Sequence, residues 1–118
     1  MAPLTKHDVG AITPVYADTL DDSPGLTLKA SSAGLFYGCV MQNTAAAITY
    51  IQFHDKATLG AVTLGSTVPT FVFGIAASGS LAIFFETPIK FVNGLQVFST
   101  TTQGGSSAAI TNGTFLVA

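Results

Sequence analysis

Apolar and polar residues alternate with a period of two along much of this chain, most cleanly over residues 49–55. Thr49, Ile51 and Phe53 fall on one side of an extended segment there, and Tyr50, Gln52 and His54 on the other, because successive side chains of a strand point to opposite faces. The preceding run, residues 35–43, is apolar on both sides and is expected to be the partner of 49–55 in the centre of a small all-β domain. Leu26 and Leu28 alternate with Thr27 and Lys29 in a further strand with one wet face. Residues 70–76 and 81–86 flank Ser78-Gly79-Ser80, which predicts a hairpin whose Phe71, Phe73, Ile75, Leu81, Ile83 and Phe85 share one core. A short strand is expected at 61–64 and another at 89–92. Asn93-Gly94 then signals a tight turn into 95–102. Asn112-Gly113 reads as a turn before a last strand at 114–117, although Asn112-Gly113-Thr114 also matches a glycosylation sequon.

No segment sustains a helical period. Seven to nine short strands broken by Gly, Pro and Asn predict an antiparallel β-sandwich of jelly-roll-like form. Pro3, Pro14 and Pro24, with four of the six acids, lie in residues 3–24. Residues 1–24 are therefore expected to be an extended N-terminal arm, with a short strand around 10–17, and 25–118 a single sandwich domain. The acidic loop at Asp18, Asp21 and Asp22 lacks the ligand spacing of an EF-hand and reads as a solvated turn.

Composition changes the picture chiefly through charge. Of 118 residues, 48% are hydrophobic and 8% charged, against about a quarter charged in an average soluble domain. Few ions need desolvating when such a surface meets another protein. The basic residues are Lys6, Lys29, Lys56 and Lys90, with no arginine and a net charge of −2, which argues against nucleic acid as a partner. The single cysteine, Cys39, excludes an internal disulfide and reads as a small buried hydrophobe. The N-terminus has no apolar signal-peptide core. The longest apolar stretch, 71–85, is shorter than the roughly 20 residues a membrane helix needs and is interrupted at 78–80. A soluble protein made in a cytoplasm, with no membrane partner, is expected.

Candidate chemistry is sparse. His7-Asp8 and His54-Asp55 do not have metal-ligand spacing, so no metal and no cofactor are expected. No serine or cysteine is arranged with a histidine and an acid by any recognisable motif. Asp55 and Glu86 are the only carboxylates a glycosidase pair would draw from the strand region, and Glu86 reads as a strand end. The chain is expected to have no catalytic residues, no enzymatic activity and no small-molecule substrate. Tyr37, Tyr50 and the phenylalanines suit a core or a subunit interface better than a sugar platform.

Runs 35–41, 71–75 and 81–85 carry apolar residues on both faces, more than one sandwich core needs. Some outer faces are therefore expected to meet copies of this chain or another protein. Tyr50, Gln52 and His54 are the strand face assigned to such a neighbour, together with Pro3 and Leu4 of the arm.

One resemblance adds to this reading. Ser-Ala-Gly-Leu-Phe-Tyr-Gly at 32–38, Gln-Asn-Thr-Ala-Ala-Ala at 42–47 and Tyr-Ile-Gln-Phe-His-Asp at 50–55 follow one another, then a Gly65-to-Pro69 step and Pro-Ile-Lys-Phe-Val-Asn-Gly-Leu-Gln-Val at 88–97. This order resembles small virion structural proteins of tailed bacteriophages, and among them capsid decoration, or cement, proteins. The likeness spans about residues 26–102 and rests on pattern. It implies a non-enzymatic β-sandwich on the outer surface of the capsid that forms a homo-oligomer, a trimer by analogy, and bridges subunits of the phage major capsid protein. It implies no particular site residues. The alternatives it leaves open are a neck, tail or fibre component, or a small carbohydrate-binding module.

Overall fold

The computed structural model describes residues 12–22, 25–105 and 111–118. Pro3, Leu4, His7 and Asp8 lie outside them. The described residues form eight strands: β1 (Thr13–Leu20), β2 (Leu26–Lys29), β3 (Gly34–Asn43), β4 (Thr49–His54), β5 (Phe71–Ile75), β6 (Ser80–Phe91), β7 (Leu95–Thr100) and β8 (Thr111–Val117). They make two four-stranded sheets, ordered β1-β8-β3-β6 and β2-β7-β4-β5, with every strand pair antiparallel. The pairs nest: β1 with β8, β2 with β7, β3 with β6 and β4 with β5. One long antiparallel ribbon is thus rolled so that β3 also meets β8 and β4 also meets β7. This is the topology of a jelly roll, as expected for the fold class.

Rolling the ribbon brings one face of each sheet against the other. Ile51 and Phe53 of β4, Leu95 and Val97 of β7, and Ile75 of β5 meet Phe36, Cys39 and Met41 of β3 and Phe115 and Val117 of β8 in one buried core. Phe53 is its hub. Its ring centre lies 4.5 Å from Phe71, stacked, 5.5 Å from Phe73 within its own sheet, and 4.9 Å from Phe36 and 5.9 Å from Phe115 in the opposite sheet. Rings at these separations gain electrostatic fit beyond the area they bury.

Several expectations from the sequence change. The runs 35–43 and 49–55 are each central, but in different sheets, so they face one another across the core rather than pairing. The predicted hairpin of 70–76 with 81–86 does not form: β5 pairs with β4 and β6 with β3. The turn at Ala77-Ser78 carries the chain across the sandwich instead, and the six apolar residues still reach one core because the two sheets face each other. Asn93-Gly94 is likewise a corner between sheets, not a hairpin turn. Gly94 has φ of +148°, and a Cβ there would lie 2.7 Å from the Lys56 carbonyl oxygen and 2.8 Å from that of Lys29. Asn112 and Gly113 belong to β8 itself. Residues 59–61 form a single 3-10 turn, and no strand forms at 61–64. Residues 89–91 continue β6 past Pro88, with the surplus residues 85–88 bulged between the Phe84 and Ile89 pairs. The arm boundary also moves. Residues 13–20 are a full strand of the first sheet, and Ala17 and Leu20 are buried in the core, so the sandwich begins well before residue 25.

Asn43 closes one end of the core. It is buried, and its Nδ2 donates to the carbonyls of Ala47, Ile75 and Ala76 at 2.9–3.1 Å, while its Oδ1 accepts from the Ala45 N–H at 3.0 Å and the Thr49 hydroxyl at 3.1 Å. One amide thereby ties the end of β3, the start of β4 and the end of β5. Removing it strands several buried partners at once.

Two substitutions in phenylalanine separate the core from the surface. Phe53→Ala is expected to lower the unfolding free energy by about 3–5 kcal/mol in denaturant titration, whereas Phe84→Ala, on the outer face of β6, is expected to change it by about 0.5 kcal/mol or less.

Candidate functional site: the two outer sheet faces

Once the inner faces are spent on the core, function is left to the outer faces, and the two differ. On the β2-β7-β4-β5 sheet the outward positions are Tyr50, Gln52 and His54 of β4, Val72 and Gly74 of β5, Gln96, Phe98 and Thr100 of β7, and Thr27 of β2, as the register requires. This face is closed over. Gln52 and His54 are 0% exposed, and Gln96, Phe98 and Thr100 are buried with them. The residues after β7 fold back onto it: Gln52 Nε2 donates to the Thr100 hydroxyl at 2.9 Å and to the Gly105 carbonyl at 3.0 Å, and the Thr100 hydroxyl donates to the Thr102 carbonyl at 2.8 Å. Gln96 Nε2 donates to the Lys56 carbonyl at 2.9 Å, and its Oε1 accepts from the Thr27 hydroxyl at 2.6 Å. Gly25 lies against the Phe98 ring.

The expectation that Tyr50, Gln52 and His54 present themselves to a neighbouring subunit therefore meets a different geometry. Gln52 and His54 are occupied within the chain and expose nothing. Tyr50 is half-buried, its ring beside Gly74, whose missing side chain makes room for it. Pro3 and Leu4 are outside the described residues.

His54 is poised by this burial. Gln52 Nε2 is already donating, so Gln52 Oε1 accepts, and His54 Nε2, 3.0 Å away, is the protonated nitrogen of a neutral ring. Nδ1 is buried with no hydrogen-bond partner among the described residues. The ring meets Phe98 edge-on at 5.5 Å. Burial, and secondarily the positive charge of Lys56, pushes its pKa down to about 4 from 6.5. The neighbouring Asp55 serves elsewhere: its two carboxylate oxygens accept the N–H groups of Val92 and Asn93 at 2.9 and 2.8 Å and so hold the corner between β6 and β7. His54 and Asp55 thus do not converge. Among the described residues no three His, Cys, Asp or Glu side chains gather in a way that could hold a metal ion. Cys39 is fully buried, and burial pushes its thiol up to about 12, which keeps it protonated. No helix of the described residues is long and apolar enough to cross a membrane.

Among the described residues nothing covers the outer face of the β1-β8-β3-β6 sheet, and it is open. The register lays it out in rows that cross the strands. One row reads Phe84, Gly38, Leu116 and Pro14. The next reads Ala82, Val40, Thr114 and Tyr16. The third reads Ser80, Gln42 and Asn112. Tyr16 is 65% exposed, Phe84 60% and Val40 48%. No charged residue stands in these rows; Asp18, which accepts a hydrogen bond from the Tyr16 hydroxyl at 3.3 Å, and Glu86 lie at the margins. Gly38 permits this arrangement. Its φ is +146°, and a Cβ there would run into the Ile83 carbonyl oxygen on β6. Phe84 therefore stands beside a gap in the face. At the other end, a depression of about 250 Å³ is lined by Val40, Met41, Gln42, Ser80, Asn112, Gly113 and Thr114.

The two-sided apolar character of 35–41 and 81–85 pointed to a surface of this kind, but Tyr16, Val40, Phe84 and Leu116 could not be grouped until the strand order placed them side by side. Compared with known proteins, the chain matches no family model, no curated protein sequence and no solved structure.

Because the unfolded chain binds a proton at histidine near pH 6.5 and the folded chain holds His54 neutral down to about 4, the protein should lose stability as pH falls through that window. The loss is expected to be on the order of 2 kcal/mol. Denaturant midpoints across this range check it, with His54→Gln expected to show a flatter profile. Gln52→Lys places an ammonium in a sealed site and is expected to destabilise the fold by about 2 kcal/mol or more in the same titration.

Proposed function

We propose that this chain is a non-enzymatic structural subunit of a virion, of the capsid-decoration kind, which self-associates and adds to the outer surface of a phage head by bridging major capsid subunits. The observation that carries the assembly part is the open sheet face of β1, β8, β3 and β6. Three of its side chains, Tyr16, Val40 and Phe84, are large, apolar or aromatic and about half or more exposed, and no ion interrupts them. A lone subunit gains nothing from such a face, and contiguous apolar surface of this kind marks a protein contact. The closed polar layer over the other sheet and the aromatic core fit a passive role, in which a rigid body is added to a larger shell. The virion and its head come from the sequence resemblance over residues 26–102.

A second reading, a small carbohydrate-binding module, draws on the depression beside Gln42 and Asn112, whose amides suit a neutral polyol. Among the described residues no aromatic side chain lines that depression, so they offer no stacking platform for a sugar ring there. A neck, tail or fibre location would use the same open face.

Purified protein added to phage shells that lack it is expected to co-sediment with them and to raise their disruption temperature. Absence of co-sedimentation removes the decoration reading, and glycan-array binding that is lost on Asn112→Ala would favour the carbohydrate module in its place.

A further inference from the structure

The open face carries a projection on one side of its middle row and a recess that runs from that row to the other side. Phe84 stands one row to one side of Val40, and Ser80, Gln42 and Asn112, which border the depression, stand one row to the other. Rows of a sheet face are spaced by two residues, about 6.8 Å. A two-fold axis lying in the contact plane and crossing the strands at the Val40 row exchanges the two outer rows and leaves each middle-row residue opposite its own counterpart.

We propose that this face binds the same face of a second copy about that axis, with Phe84 of each copy set over Ser80, at the β6 rim of the depression in the other. The proposal rests on reading the face as an assembly surface, and it names the occupant. Three features favour a second copy. First, the projection and the rim of the recess belong to one surface and are exchanged by an operation that closes after two copies, as a two-fold interface requires. Second, the face is uncharged, so two molecules that each carry a net charge of −2 meet without setting like charges against each other. The marginal acids stay apart: Asp18 comes to the Pro14 end of the other copy, and Glu86 falls beyond its Ser80. A strongly acidic or basic partner would find no counter-charge here. Third, the extent fits a modest self-contact. Four strands about 4.8 Å apart and three rows about 6.8 Å apart give roughly 400 Å² of plane. A corrugated surface buries more than its plane, yet this remains at the small end of specific interfaces, near or below about 800 Å² per partner. The pair should therefore form and dissociate with protein concentration.

Sedimentation velocity over a concentration series, on the full chain, is expected to show a monomer–dimer equilibrium. Val40→Lys and Phe84→Lys are expected to raise the dimer dissociation constant more than ten-fold. Both positions are exposed, and denaturant titration verifies that each variant stays folded. Val40→Cys gives the geometric readout: at the axis it faces its own counterpart, so a short bismaleimide should cross-link it into dimers. Val68→Cys, on the 83% exposed Val68 of the loop between β4 and β5, should cross-link no more than collision allows. The buried native Cys39 should not react. A wild type that stays monomeric, a trimer, a Phe84→Lys variant that sediments like the wild type, or Val40→Cys cross-linking no better than Val68→Cys would each overturn the proposal. Pairing without binding to shells overturns the virion reading and leaves the pairing intact, and binding to shells by a monomer does the reverse.

Discussion

The contact on which the rest of the structure depends is that of Phe53 with rings from both sheets. Phe71 and Phe73 reach it from its own sheet and Phe36 and Phe115 from the other. A jelly roll has almost no local contacts to hold it: in this chain nearly every connection crosses from one sheet to the other, so each strand is fixed by partners far away in sequence. The apolar layer between the sheets is what converts a floppy antiparallel ribbon into two stacked sheets. It also sets which side chains are left over. With Phe53 inward, period-two alternation forces Gln52 and His54 outward, and with Cys39 and Met41 inward it forces Val40 and Gln42 outward.

What becomes of the leftovers differs between the two sheets, and the difference follows from chemistry. The outer face of the β2-β7-β4-β5 sheet carries side chains that need partners: two glutamines, a histidine and threonines. They find them in backbone carbonyls of Lys56, Thr102 and Gly105, so the chain can fold over this face and seal it. The cost is a histidine held neutral. The outer face of the β1-β8-β3-β6 sheet carries Phe84, Val40, Leu116 and Tyr16, which offer a covering loop few hydrogen bonds and remain open to a surface of similar character. A closed, hydrogen-bonded face contributes rigidity within one molecule, whereas an open, uncharged one is available between molecules.

Glycine determines how flat and how close the strands lie at two places. Gly38 lets β3 approach β6 beside Phe84, and Gly94 lets the corner between β6 and β7 pass under the carbonyls of Lys29 and Lys56. At the second of these, Asp55 adds its two hydrogen bonds to the corner. A residue that looks catalytic next to a histidine is thus part of how the ribbon is rolled.

Much of the architecture was legible in the residues themselves. Alternation over 49–54, the apolar run at 35–43, the core positions Ile51 and Phe53, and the all-β sandwich class depend on local spacing, because a strand's faces follow from its own backbone geometry. The excess of apolar surface was legible too, as a quantity. Its location was not. Which strands pair depends on the rolling of the whole ribbon, and the same Ser78-Gly79-Ser80 that reads as a hairpin turn serves equally to cross between sheets. For the same reason the polar face of β4 looked like an outer surface, since nothing in residues 49–55 shows that Gly105 and Lys56 return to cover it. The chain alone determined that there would be a strand with two unlike faces at its centre and more apolar surface than one core can use. Only the tertiary structure decided that the polar face would be sealed and that the open apolar one would lie on the opposite sheet, because both outcomes rest on contacts between residues some 40 to 100 positions apart.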